Sequence, residues 1–299
     1  MRSKRFRIVD LLYLAGICIP LLGGIILKIL TEPPSEGISI TGARIYFTID
    51  FPIQDIYITE AQVNSILVIL SVFFFCLYMT HGLSVECKTK RQHLAEWAIE
   101  MADRLVLSNM GPYFAGYSAF IISILVLSAF SSLLSLLGLF PPTSDINIVG
   151  GWAILVFILI THYKLKGGFL NYLKGFTEPI FVMAPLNVLS EVATPISMAF
   201  RHYGNVLSGS VISVLIAAAL TAFSNLVFGW LPGLLGDIAF LRVGLPAVLS
   251  IYFDVFSGCM QAYIFAMLTM LNVSGAFPWE AYEKRKRKKE NKKVKKQTI

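Results

Sequence analysis

The sequence predicts an all-α integral membrane protein with about six membrane segments. Three observations predict it: 56% of the 299 residues are hydrophobic against 14% charged, the mean hydropathy is +0.70, and the apolar residues fall in unbroken runs. Those runs are about twenty residues long, the length a helix needs to cross a hydrocarbon core. A membrane β-barrel would instead show segments of about ten residues with alternating polarity, and an ordinary soluble domain carries more charge.

The first run, Ile8 to Leu30, follows Arg2, Lys4, Arg5 and Arg7. A basic start before an apolar run also fits a signal peptide, but no small-x-small cleavage pattern precedes Thr31-Glu-Pro-Pro, so a retained anchor is expected. The loop from Thr31 to Gln62 is acidic, with Glu32, Glu36, Asp50, Asp55 and Glu60 against Arg44. The second run, Val63 to Leu83, is followed by Lys88, Lys90 and Arg91. Residues 93 to 107 then put Leu94, Trp97, Ile99, Met101 and Leu105 on a broad stripe, the pattern of a helix lying on the inner membrane surface.

Phe114 to Phe140 and Val149 to Tyr163 form the third and fourth runs, the latter followed by Lys164, Lys166 and Lys174. The fifth, from about Pro179 to Leu231, is too long for one upright helix, and with Pro185 and Pro195 it is expected to be bent or strongly tilted. The last run is Leu245 to Val273. With both termini cytoplasmic, every basic cluster falls on the inner side. The tail holds ten Lys or Arg and one Glu between 284 and 296, and without it the formal charge of +7 falls to −2. It is read as an anchor to anionic headgroups; no aromatic or groove-reading pattern accompanies the charge, so no nucleic acid is expected as a partner.

Cys18, Cys76, Cys87 and Cys259 show no paired spacing, and the four histidines form no H-x-x-x-H pattern. Neither a disulfide framework, a metal nor a cofactor is expected, and the cysteines are read as small packing residues. No G-x-x-x-x-G-K-[ST] loop occurs, so no nucleotide chemistry is expected of this chain.

Arg201 is the residue of greatest interest. A guanidinium stays charged at any physiological pH, and placing one near the bilayer centre costs about 3 kcal/mol on insertion scales. At 100° per residue its face includes Ser190, Thr194, Ser197, Met198, Gly204, Asn205 and Ser208, which is built for a close neighbour or a hydrated seam rather than lipid. In the last run Asp254, Ser257, Gly258 and Gln261 share one face, with Asp254 the only carboxylate there. Asp254 is either an ion-pair partner for Arg201 or part of a titratable relay. With the expected topology, Glu191 lies inward of Arg201, while Asn205, Ser210, Asp254 and Asp145 lie toward the outside. Polar groups on both sides of a fixed positive charge suggest two half-paths that do not join.

At these residues the sequence resembles subunit a of the F-type ATP synthase. The resemblance covers roughly residues 63 to 276 and rests on several motifs in order. These are Glu96-Trp97, Leu-Gly-Leu-Phe-Pro at 137 to 141, a Lys-Gly pair before the long hairpin, Arg-x-x-Gly-Asn at 201 to 205 with Pro195 and Ser197 upstream, and Gln-Ala-Tyr-Ile-Phe at 261 to 265.

It implies a tilted helical hairpin facing a ring of c subunits, with Arg201 the essential stator charge flanked by Asn205 and Gln261. Glu191 would serve the cytoplasmic half-channel; Asp145, Ser210 and Asp254 would serve the outer one. The subunit would be a noncatalytic, proton-translocating member of a multisubunit complex that includes peripheral-stalk b subunits, in a plasma membrane of bacterial type. Residues 1–62 would be an extra anchor and outer loop, 63–276 the subunit-a-like domain, and 277–299 a basic cytoplasmic tail.

The chain departs from the family pattern at Ser210, where a His or Glu is common, and at His202, where an apolar residue is usual. His202 is either a packing residue or a relay. A proton-coupled secondary transporter of an anionic solute is the alternative function, although no inverted repeat is visible. A membrane scaffold is a third.

Overall fold

In a computed structural model the described residues are 2–31, 42–52, 54–85, 89–177, 180–228, 244, 248, 249, 251–280, 282, 283 and 287. Among the described residues six helices are long and apolar enough to cross a bilayer, making this a multi-pass membrane protein. The basic tail lies almost wholly outside the described residues, as do Cys87 and most of the connection between the last two membrane helices.

The chain opens with α1 (Arg2–Thr31) and continues through an antiparallel pair of strands, β1 (Ile45–Ile49) and β2 (Ile56–Thr59), into α2 (Glu60–Thr80). The hairpin was not expected. Its alternating Ile45, Phe47, Ile49 and Ile56, Ile58 sit within an acidic loop, so period-two patterning was masked by local charge. The turn into α2 is fixed by the Gln62 side chain, which accepts a hydrogen bond from the Thr59 amide at 3.2 Å.

Helix α1 docks along α2 through glycines. A β-carbon at Gly16 would fall 2.6 Å from the Phe74 ring, and one at Gly24 would fall 2.8 Å from Leu67, so the backbones approach as only glycine permits. Polar contacts hold both ends. Asp10 pairs with Arg91 at 3.0 Å, while at the other end the Lys28 ammonium donates to the Gly138 carbonyl.

Helix α3 (Lys90–Met110) starts at Thr89, whose hydroxyl accepts from the Gln92 amide at 3.2 Å. It buries Ala102, Val106 and Met110 and leaves Leu94, Trp97, Ile99 and Met101 exposed. An apolar face turned away from the core suits the membrane surface. After a 3₁₀ turn come α4 (Ser118–Leu133), a short buried turn at Pro142–Ser144, α5 (Ile146–Leu165) and the short α6 (Phe169–Thr177).

Helix α7 (Ala184–Phe228) runs unbroken for 45 residues. Pro185 occupies its first turn, where its missing N–H is harmless, and the helix continues past Pro195. The chain then returns through a π-helical turn (Ile251–Ser257) into α8 (Gly258–Gly275), which packs on α4 and α7. A main core of Val106, Phe114, Val156, Met198, Phe265 and Met270 ties α3, α4, α5, α7 and α8 together. Cys18, Cys76 and Cys259 are exposed rather than packed, which corrects the expectation that they fill gaps.

Candidate functional site

The site is built on one face of α7. Arg201 is exposed there with Ser197, Asn205 and Ser208, and Ile212 and Leu215 continue the stripe at helical spacing. Met198 does not belong to this face. It is 3% exposed and turns inward, where its sulfur lies 3.5 Å from the Asn272 amide.

Among the described residues no ion pair or hydrogen bond is made by the Arg201 guanidinium, and none joins it to Asp254. A charge expected to lie at membrane depth needs an opposite charge or water, and none of the described residues supplies that charge.

Asn205 stands one turn from Arg201, and its amide donates to Gln261 Oε1 at 2.7 Å. Gln261 is buried, so this bond locks α7 to α8 beside the arginine. Helical spacing had placed the two residues on polar faces of their segments, and the family resemblance had set both beside Arg201, but their bond to one another was not anticipated.

Ten residues back along α7, about 15 Å, lies a second cluster. The Glu191 carboxylate, only 8% exposed, pairs with Lys164 at 3.1 Å and accepts from the Tyr172 hydroxyl at 3.1 Å. Burial, then the adjacent Glu191 charge, raise the Tyr172 phenol above its ordinary value, so it remains a neutral donor. A cavity of about 500 Å³ opens here, lined by Lys164, Tyr172, Asn187, Ser190, Glu191 and Thr194. A smaller one of about 230 Å³ shares Lys164, Glu191 and Thr194. Sequence reasoning found Glu191 but treated Lys164 only as a topological charge and did not single out Tyr172.

Lys164 is a third exposed, so water screens part of its attraction for Glu191. Even so, removing it leaves a buried carboxylate short of a donor, and Lys164→Met is expected to destabilise the chain by about 2 kcal/mol. Thermal unfolding in detergent checks this. Adding Glu191→Gln to the same variant should recover most of the loss, because the stranded charge is then gone.

On the far side of Arg201, Ser210 donates to the Leu207 carbonyl of its own helix at 2.8 Å. Gly209 packs against Phe253, which brings Ser210 and half-buried Asp254 to the same level of the α7–α8 hairpin. Asp254 lies in the π-helical turn, a distortion often found at functional sites. Asp145 is apart from these groups: its carboxylate caps α5 by accepting from the Asn147 amide at 2.9 Å.

His202, next to the arginine, is fully buried on the opposite side of α7. Its Nε2 lies 3.3 Å from the Ser128 hydroxyl, and its ring meets Trp152 and Phe265 edge-on. Ser128 was not anticipated, since it is one of six serines in its apolar run and nothing local singles it out.

Known proteins share much of this sequence. The chain is 29% identical over 218 residues to ATP synthase subunit a of Staphylococcus saprophyticus, covering 68% of this chain and 84% of that one. It is 28% identical over 242 residues to the subunit a of Limosilactobacillus reuteri, covering 75% and 95%. With that of Desulforamulus reducens it shares 30% over 206 residues, covering 68% and 73%. The family described as ATP synthase A chain matches residues 62–274, which include the whole α7 face and its α8 partner, and the chain belongs to that family.

Proposed function

We propose that this chain is the proton-translocating stator subunit of an F-type ATP synthase, itself noncatalytic. Arg201 faces a rotating ring of c subunits, and peripheral-stalk b subunits hold the stator fixed. The observation that carries the reading is Arg201 standing exposed on α7 with no partner among the described residues, between two separate polar stations.

In this reading the Glu191, Lys164 and Tyr172 cavity is the cytoplasmic half-channel. Asp254, Ser210 and Asp145 belong to the outer half-channel, and Asn205 and Gln261 hold the surface beside the arginine. Both termini are cytoplasmic, in a cell membrane of bacterial type. Residues 63–276 carry the stator function, with 1–62 an added anchor and outer loop and 277–299 a basic tail near anionic headgroups.

The mechanism follows from charge. A ring carboxylate protonated from one half-channel is neutral and tolerates lipid; on reaching Arg201 it is favoured as the anion and gives up its proton. The fixed guanidinium repels a proton attempting to pass directly from one station to the other. Each proton crossing 100 mV releases about 2.3 kcal/mol, and a ring held against a stationary charge converts that into rotation.

Cysteine cross-linking tests the assignment of the face. With the four native cysteines replaced, Ser208→Cys and Ile212→Cys are expected to form disulfides with cysteines on the outer helix of the ring. Met198→Cys, which points inward, should not. Failure of both exposed positions to cross-link in an assembled complex would remove the ring from this face.

A further inference from the structure

Helix α4 turns a row of hydroxyls into the bundle. Ser128, Ser131 and Ser132 are 0%, 2% and 2% exposed, and Thr143 in the turn beside them is fully buried. Such groups are costly in an apolar interior unless bonded, and Thr143, Ser132 and Ser128 each find a partner inside the bundle, with one break in the row where Ser132 turns to a backbone carbonyl and a water is needed to reach the Ser128 hydroxyl. Thr143 Oγ1 lies 3.2 Å from Ser132 Oγ, which donates to the Ser128 carbonyl at 3.1 Å, and Ser128 Oγ lies 3.3 Å from His202 Nε2.

Both ends of the row have an orphan atom. His202 Nδ1 and Ser144 Oγ are buried with no hydrogen-bond partner among the described residues. Buried polar atoms of this sort are where ordered water is held.

The row also has the right termini. Ser144 and Thr143 precede Asp145, the cap of α5; His202 follows Arg201 and stands one turn from the Asn205–Gln261 bond. Gly258 lets α8 approach Ser132, since a β-carbon there would fall 2.8 Å from that of Ser132. Asp254 is one turn before Gly258, so the row runs beside the segment bearing the outer carboxylate. By contrast Ser210 is exposed on α7, outside this buried row.

We propose, building on the stator reading above, that protons entering at the Asp145 end reach the Arg201 surface through the bundle interior. They pass along Thr143, Ser132, Ser128 and His202 with intervening water. His202 is the relay. With the ring proton on Nδ1, Nε2 accepts a proton from the Ser128 hydroxyl, the otherwise unpartnered Nδ1 releases its own to water, and Ser128 is reprotonated by water behind it. A turn of the ring about its Cβ–Cγ bond, with the remaining proton kept on the imidazole, then brings an unprotonated nitrogen back toward Ser128 and resets the relay without returning a proton along the row. Nothing is consumed, and one proton enters for each that leaves. The side chains meeting the imidazole from α4, α5 and α8 are Ser128, Trp152 and Phe265, none of them charged.

The test compares ATP-driven acidification of inverted vesicles containing the native complex, His202→Gln or Ser128→Ala, with ring copurification measured in each. Glutamine keeps a hydrogen-bonding group near Ser128 but cannot exchange protons between two ring nitrogens; alanine at 128 removes the hydroxyl with little change of volume. Both variants are expected to assemble and to lose about tenfold or more in pumping. Native pumping by His202→Gln would make the imidazole a packing group and overturn the proposal, as would a loss explained entirely by failed assembly of both variants. Arg201→Ala, run in parallel, separates the two ideas. If it pumps, the stator reading itself fails; if it does not pump while His202→Gln does, only the interior route is wrong.

Discussion

Arg201→Ala is expected to reduce ATP-driven acidification of inverted vesicles to background while the ring still copurifies. The argument has two parts. First, the guanidinium makes no ion pair or hydrogen bond among the described residues and is exposed on α7, so its removal costs the fold little, within about 0.5 kcal/mol. Second, in the proposed stator role a ring carboxylate that meets no fixed cation has no reason to deprotonate, and the two stations would lose the charge that keeps protons from crossing between them.

Arg201→Lys should assemble equally well and remain severely impaired. An ammonium restores the charge but is a compact, strongly hydrated point charge that lacks the planar fork able to meet a carboxylate in two places. Pumping by the alanine variant as the sole copy would show that the exposed arginine is incidental.

Gly258→Val should cause the largest structural loss. A β-carbon at 258 would meet the Ser132 β-carbon at 2.8 Å, and both atoms sit on the backbones of packed helices, so neither can swing aside. Overpacking of this kind costs about 1 to 3 kcal/mol for a small addition, and valine adds more than one methyl. The wedge would also displace Gln261, three residues along, from its 2.7 Å bond with Asn205. Reduced thermal stability and reduced ring copurification are therefore expected together. Ser132→Ala would give no relief because the β-carbon remains, whereas Gly258→Ala combined with Ser132→Gly should regain most of the stability lost by Gly258→Ala alone. Equal stability of native and Gly258→Val chains would refute the close approach.

Much of this architecture was legible in the sequence because a bilayer imposes a length on each apolar run, and six runs yielded six membrane helices. Arg201, Asn205 and Gln261 were legible one by one for a related reason: a polar residue in an apolar helix stands out, and helical spacing assigns its face, although the bond between the last two was not foreseen.

What stayed hidden has a common cause. Lys164 meets Glu191 across 27 positions, and Ser128 meets His202 across 74. Such pairs depend on how helices stack, which no local period encodes. Local expectation also failed at Met198, one position past Ser197 in sequence but rotated into the core. The strands β1 and β2 were hidden differently, by acidic neighbours that made an alternating segment read as loop.

The length of α7 bears on how voltage is used. Forty-five residues span about 67 Å along the axis, whereas the hydrocarbon core is about 30 Å thick, so a helix held within it leans by about 60° from the membrane normal. The 15 Å from Glu191 to Arg201 then becomes only about 7 Å of depth, and most of that separation is sideways. Two proton entries arranged side by side cannot be joined by a carrier that moves up and down. They can be joined by one that travels around a circle, and in the proposed stator role the slant of this single helix would turn the work of the transmembrane field into a rotation.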